Sequence, residues 1–321
     1  MRRVARWSLV PILGLLSLAP SPPAEAKAKL EGNLLVAISQ GDTVKVHELL
    51  GRGADPNHAD ESGRTPLMAA VGVRGKEMLV FGSGGREAFE RSGYAAIAES
   101  LAREERQRAA TTVPALLAAG AAPDARDKKS NTALMFAAQF GDTASLRTLL
   151  DSHADLSLRN DRGLTALHLA AGEGHANVVR RLLEVGAAPN VGSNDQTTPL
   201  QYALGAGQIE TSRILLKGGA NAKATDAHGQ TALMTAAYHG LVDVMDELVA
   251  AGVDVMAKDD EGHTALANAA YSGKEAAVLW LLEHGAEINA RSLDGTTALG
   301  FAKKSHHPDV AALLRSKGGT E

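Results

Sequence analysis

The chain has 321 residues, a formal net charge of −4, no cysteine and only 3% aromatic residues. Without thiols there is no disulfide framework, no Cys-based zinc site and no cysteine nucleophile. A mildly acidic chain is a poor general nucleic-acid binder, because neutralising phosphates takes clustered Lys and Arg.

Residues 1–26 read as a secretory signal peptide. Arg2, Arg3 and Arg6 make a basic start, Leu9–Ala19 an apolar stretch, and Ala24-Glu25-Ala26 a small-residue cleavage site. The apolar part is too short for a comfortable membrane span. No cysteine follows it, so lipid attachment there is excluded. The expectation is an exported protein, periplasmic or secreted, with no stable membrane insertion once the leader is removed. Its loss makes the remainder two charges more negative, since three arginines and one glutamate leave.

Residues 27–60 form a first unit in which Gly32 stands at a helix start, followed in frame by Leu34, Ala37, Gly41, Leu49, Leu50 and Gly53. Lys27, Lys29 and Glu31 are expected to face water, as a terminal unit requires. A second unit begins at Thr65-Pro66-Leu67 but reaches its closing glycine, Gly120, 55 residues later, against 21 from Thr165 to Gly186. The surplus is placed at about 72–110. It holds Met78-Leu79-Val80-Phe81, then Gly82-Ser83-Gly84-Gly85, then a predicted helix from Tyr94 to about Arg108 with an Ile97/Leu101 stripe. Thr111 or Thr112 with Pro114 restarts the regular second helix.

From there the pattern repeats about every 33 residues: Thr132, Thr165, Thr198, Thr231, Thr264 and Thr297, each with a leucine two places on and an alanine five places on. A fixed period with fixed residue types marks stacked supersecondary units. Within one unit, Thr165 supplies a hydroxyl to orphan amides of a helical first turn. Leu167, Ala170 and Ala171 share one face, which predicts a short helix over 164–172. Val178, Val179, Leu182 and Leu183 predict a second helix, closed by Gly186 in a left-handed conformation. In the third unit His153 takes the closing-glycine place. In the last, about 295–319, Lys303 and Arg315 stand at otherwise apolar positions, which predicts a water-facing C-terminal cap.

This pattern resembles the ankyrin repeat over most of the chain. Thr165-Ala166-Leu167-His168 is closest to the family's Thr-Pro-Leu-His, and the histidine place elsewhere holds Met68, Met135, Gln201, Met234, Ala267 and Gly300. The resemblance implies an all-α solenoid of about eight stacked helix pairs over 27–321, interrupted by a helical insertion in the second. It also implies a non-catalytic scaffold for protein–protein interaction.

In such arrays the residues after the Ala-Ala pair face a concave groove. Here they include Gln139, Phe140, Glu173, Tyr238, His239 and Tyr271, and three of the chain's few aromatics fall among them. They are either interface anchors or packing between neighbouring helices. On successive turns Arg126, Lys128, Lys129, Arg159 and Arg162 make a basic patch, with Asp259, Asp260, Glu261 and Asp294 as an acidic counterpart. These are either solvated faces or a steering field for a partner. Trp280 is expected to pack onto the C-terminal unit.

No metal, cofactor or catalytic constellation is expected. The 11 histidines sit mostly at frame positions, and Gly82–Gly85 lacks a following Gly-Lys-Ser/Thr. The expected partner is another protein, held by a monomer. Two other functions stay open: a nucleotide, ligand or enzymatic site in the 72–110 insertion, and a secreted effector acting on a host protein.

Overall fold

The computed structural model describes residues 24–71 and 111–321. The insertion's predicted helix, its apolar run and its glycine loop lie outside the described residues, as does most of the leader. Every regular element described is helical, and the one extended pairing among these residues is an isolated bridge between Thr225 and Thr231.

The helices come in consecutive pairs. They are α1 (Ala24–Gln40) with α2 (Thr43–Gly51), then α3 (Pro66–Val71) followed by α4 over residues 111–118. Next come α5 (Ala133–Phe140) with α6 (Thr143–Asp151), α7 (Ala166–Glu173) with α8 (Ala176–Glu184), and α9 (Pro199–Gly205) with α10 (Ile209–Lys217). The series ends with α11 (Ala232–His239) and α12 (Val242–Ala250), α13 (Ala265–Tyr271) and α14 (Glu275–Glu283), and α15 (Ala298–Lys304) and α16 (Pro308–Ser316). From α5 on, first helices stack on first helices and second on second, so each pair packs on its neighbours in the chain.

Local chemistry explains the pairs. Thr132, Thr231, Thr264 and Thr297 each accept the amide three residues on through Oγ1, at 3.2–3.4 Å. Helix α7 therefore starts after Thr165 rather than at Leu164, the residue where the apolar pattern begins. Its end at Gly174 is left-handed, φ 77°. Gly186 (φ 92°) and His153 (φ 59°) take the left-handed conformation their positions demanded. The alanine pairs Ala137/Ala138, Ala170/Ala171, Ala236/Ala237 and Ala269/Ala270 are buried, and their small side chains let the first helices approach closely. Leu149, Leu182, Leu215, Leu248 and Leu281 have no more than 1% exposure and form the seam between first and second helices. Burying each contributes roughly 1.5–3 kcal/mol.

The turns between pairs are tied by a backbone ladder. The amides of Lys128, Asp161, Asn194, Ala227, Asp260 and Leu293 donate to the carbonyls of Ser62, Lys129, Arg162, Asp195, His228 and Glu261, respectively, at 2.9–3.1 Å. Asp127, Asn160, Asp226 and Asp259 shape these turns, each accepting the amides two and four residues ahead through one side-chain oxygen.

The N-terminal unit differs from its expectation. Helix α1 runs straight through Gly32, because Leu30 and Leu34 on either side are buried and hold it against α2 and α3. Glu31 does not face water: it is 6% exposed, with His58 Nδ1 at 3.0 Å and Lys27 Nζ at 3.8 Å. Trp280, 7% exposed, also ties back to the preceding pair. Its indole N–H donates to Asp246 of the preceding pair at 3.1 Å, and its ring stacks on His284 at 3.7 Å.

Candidate functional site

The site is built by two equivalent helix ends. Helices α11 and α13 bury their alanine pairs, so the next residue in each, Tyr238 and Tyr271, emerges at the last turn. Being one repeat apart on stacked helices, the two rings meet with centroids 6.4 Å apart and planes 24° apart. They remain 43% and 51% exposed. His239 lies edge-on to Tyr238 at 5.1 Å. The rings thus pack on each other and still show a face to solvent.

Two depressions share this pair. One, of about 570 Å³, is lined by Tyr238, Tyr271, His239, Lys274, Lys304 and His307. The other, of about 480 Å³, adds Gln230, Glu261, His263, Asn268 and Phe301 to the tyrosines. The first has a cationic lining. Desolvation, and then the charge of Lys274, holds the His239 imidazole below its ordinary pKa. The second is a polar network. Gln230 Nε2 donates to Asp259 Oδ2 at 2.5 Å and Asn268 Nδ2 to Gln230 Oε1 at 3.3 Å. His263 Nδ1 lies 3.3 Å from Asp259 and 3.4 Å from Glu261, its ring edge-on to Phe301. Such a surface can stack on a flat side chain and discriminate charge.

The other expected groove residues lie further along the array. Phe140 stacks on Phe136 at 6.2 Å and is half-buried, as is Gln139, whose carbonyl lies 2.9 Å from His175 Nε2. Glu173 is exposed. Of the basic turn residues, Arg126, Lys128 and Lys129 are exposed. Arg159 is a strut: Nε donates to Gly163 O at 2.9 Å and Nη2 to Gly192 O at 2.7 Å, joining two turns. Arg162 reaches Tyr202 Oη at 3.3 Å. In the acidic counterpart Asp259 is not a surface charge: it is 8% exposed, with Oδ1 spent on its own turn and Oδ2 on Gln230. Hydrogen bonds from Ser292 and Thr296 hold the Asp294 carboxyl far below the usual carboxylate range.

Three lining residues, Lys274, Lys304 and His307, were not legible as site residues. Lys274 and His307 occupy the N-caps of α14 and α16, where neither forms a side-chain cap bond. At the equivalent place Asp142 caps α6 by accepting Ser145 N at 3.1 Å. Side chains with no capping use at a capping position were the available signal.

Among the described residues no group of three or more His, Cys, Asp or Glu is arranged to hold a metal ion, and no helix is long and apolar enough to cross a membrane.

Comparison with known proteins adds the family. The family model described as Ankyrin repeats (3 copies) matches residues 101–193, 185–259 and 243–321. A similar relative is the "Ankyrin repeat, SAM and basic leucine zipper domain-containing protein 1" of Notamacropus eugenii, 30% identical over 128 residues. That match covers 37% of this chain and 27% of the relative, so the chain spans about a quarter of the length of that protein. With the all-helical stack of capped pairs, these matches show that the chain belongs to the ankyrin-repeat family.

Proposed function

We propose that this protein is a non-catalytic scaffold that acts after export and holds another protein on the face carrying Tyr238 and Tyr271, with the basic turn tips Arg126, Lys128 and Lys129 as a secondary surface. Ankyrin repeats generally mediate protein–protein interaction and are generally non-enzymatic. The observation that carries the reading is the stacked, half-exposed tyrosine pair flanked by two depressions. Exposed aromatics held rigid by a neighbour lose little entropy on binding, and such residues dominate interface energies.

Export is supported by the basic start, the apolar stretch and the Ala-x-Ala ending of residues 1–26. Removing those residues leaves intact the buried face of α1, whose first buried apolar residues are Leu30 and Leu34. Intact mass of the exported protein checks this: a mature form beginning near Lys27 is expected, and one retaining Met1 refutes it.

Binding is tested by capture from a periplasmic extract. The parent chain is expected to retain a protein that the Tyr238→Ala and Tyr271→Ala variants lose, each change costing about 1–3 kcal/mol of affinity. Equal capture by all three overturns the assignment of this face.

A further inference from the structure

The two depressions differ in charge, and the difference identifies the chemistry of what sits between them. Lys274 is the decisive residue. Its Cγ and Cδ lie 3.3 and 3.1 Å from where a Cβ on Gly240 would be, so its stem runs across that bare glycine and its ammonium is carried to the mouth of the cationic depression. It stands at the N-cap of a nine-residue helix, where the macrodipole disfavours a cation. Among the described residues no carboxylate pairs with it. The acids of the two adjacent helix starts, Glu275 and Asp309, are exposed and do not line the depression.

Lys304 is nearly as available. Its Nζ is 2.8 Å from Thr296 Oγ1 and 3.5 Å from Asp294 Oδ2, with both partners of the ion pair about three-fifths exposed. An exposed pair of this kind is weak and yields to a better-placed anion. Its neighbour Lys303 is different, being already paired with Glu321. The chain as a whole is acidic, so a depression lined by two lysines and two histidines and no carboxylate departs from the background. Across the tyrosines, Glu261 lines the second depression and repels an anion there.

We propose that the partner presents an acidic segment to this face, with a carboxylate in the depression lined by Lys274 and Lys304 and a flat or apolar side chain on the Tyr238–Tyr271 pair. Charge complementarity fixes the direction of the segment, its acidic side toward the lysines and away from Glu261. The inference rests on the reading of this face as the partner site, and adds the sign of the partner's charge and its register.

Fluorescence anisotropy of the full mature chain tests it with two labelled decapeptides, one alternating glutamate and tyrosine and one alternating lysine and tyrosine. The acidic peptide is expected to bind, weakening with added salt, and the basic one to bind at least about tenfold more weakly. The Lys274→Gln/Lys304→Gln double variant is expected to lose about tenfold for the acidic peptide, and the Lys274→Arg/Lys304→Arg variant to keep it. Equal binding of both peptides, no binding of the acidic one, or an unaffected Gln/Gln variant overturns the proposal. Because both lysines are exposed, the melting temperature of the Gln/Gln variant should match the parent. Capture from extract separates the two levels of the argument. Loss with Tyr238→Ala and Tyr271→Ala but not with the Gln/Gln variant overturns only the acidic partner, whereas no loss with either removes the partner site itself.

Discussion

His168 accepts the backbone amide of Thr165 through Nδ1 at 3.1 Å, closing the start of α7 from a fully buried position. Its other nitrogen, Nε2, lies 3.2 Å from Thr197 O in the next unit. One repeat later Gln201 does the same work, Oε1 accepting Thr198 N at 3.0 Å and Nε2 donating to Gln230 O at 2.8 Å.

That pair of equivalents predicts an acid sensitivity and its cure. Burial pushes the His168 imidazole down from 6.5 to about 4. With its folded pKa below its unfolded value, the unfolded chain binds more protons in between, so stability falls as pH drops from 6.5 to about 4. The loss is on the order of 3 kcal/mol at most. His168→Gln should keep the cap and abolish this component. Urea melts of both proteins across that range check it, the expected result being a difference curve that rises toward acid pH and is flat above neutrality.

Gly262 and Gly295 hold the same turn position in successive units, both left-handed at φ 77° and 81°. A Cβ on Gly262 would stand 2.9 Å from the backbone nitrogen of Leu293, the donor of a ladder rung, whereas one on Gly295 meets open space. Gly295→Ala should therefore cost only the backbone strain, about 1 kcal/mol. Gly262→Ala should add a weakened rung, roughly another 1 kcal/mol. Denaturant midpoints of the two variants side by side decide this, and equal losses would show that the rung carries no weight.

Arg159 and Arg126 separate structure from steering. Arg159→Ala removes two charge-assisted bonds, one within its own turn and one to the next, and should lower stability by about 1–2 kcal/mol. Arg159→Lys should recover little, because a single ammonium cannot copy the two-pronged fork. Arg126→Ala should leave the melt unchanged, and its effect is expected instead in the salt-dependent association rate measured by stopped flow.

The periodic part of the fold was readable because a single unit repeats its physical requirements. A hydroxyl is needed at Thr165, a small pair at Ala170/Ala171 and a left-handed residue at Gly186, and each requirement restricts residue type. The turn series Asp127, Asn160, Ser193, Asp226, Asp259, Ser292 was equally periodic. It was harder to read because its members vary in type: the oxygens of the first five accept the amides ahead of them, whereas the Ser292 hydroxyl donates to Asp294 and Thr296 O. Gly32 misled because it occupied the threonine's place while the buried neighbours Leu30 and Leu34 carried the helix through. The tyrosines were found by position. The lysines beside them were not, since what makes Lys274 available is the bare Gly240 in the adjacent unit, and contact between units is not visible in either residue alone.

The backbone ladder joins each turn to the next by one rung and no turn to any other. Pulled from its two ends, such an array bears load in series from unit to unit, and at each junction the rung shares the force with the helix packing and the side-chain bonds beside it. The array should yield by peeling from an end, one unit at a time, each step releasing a fixed contour length of roughly 100 Å from the chain of one repeat. A bound partner that spans several turns would place those rungs in parallel and stiffen the stretch it covers.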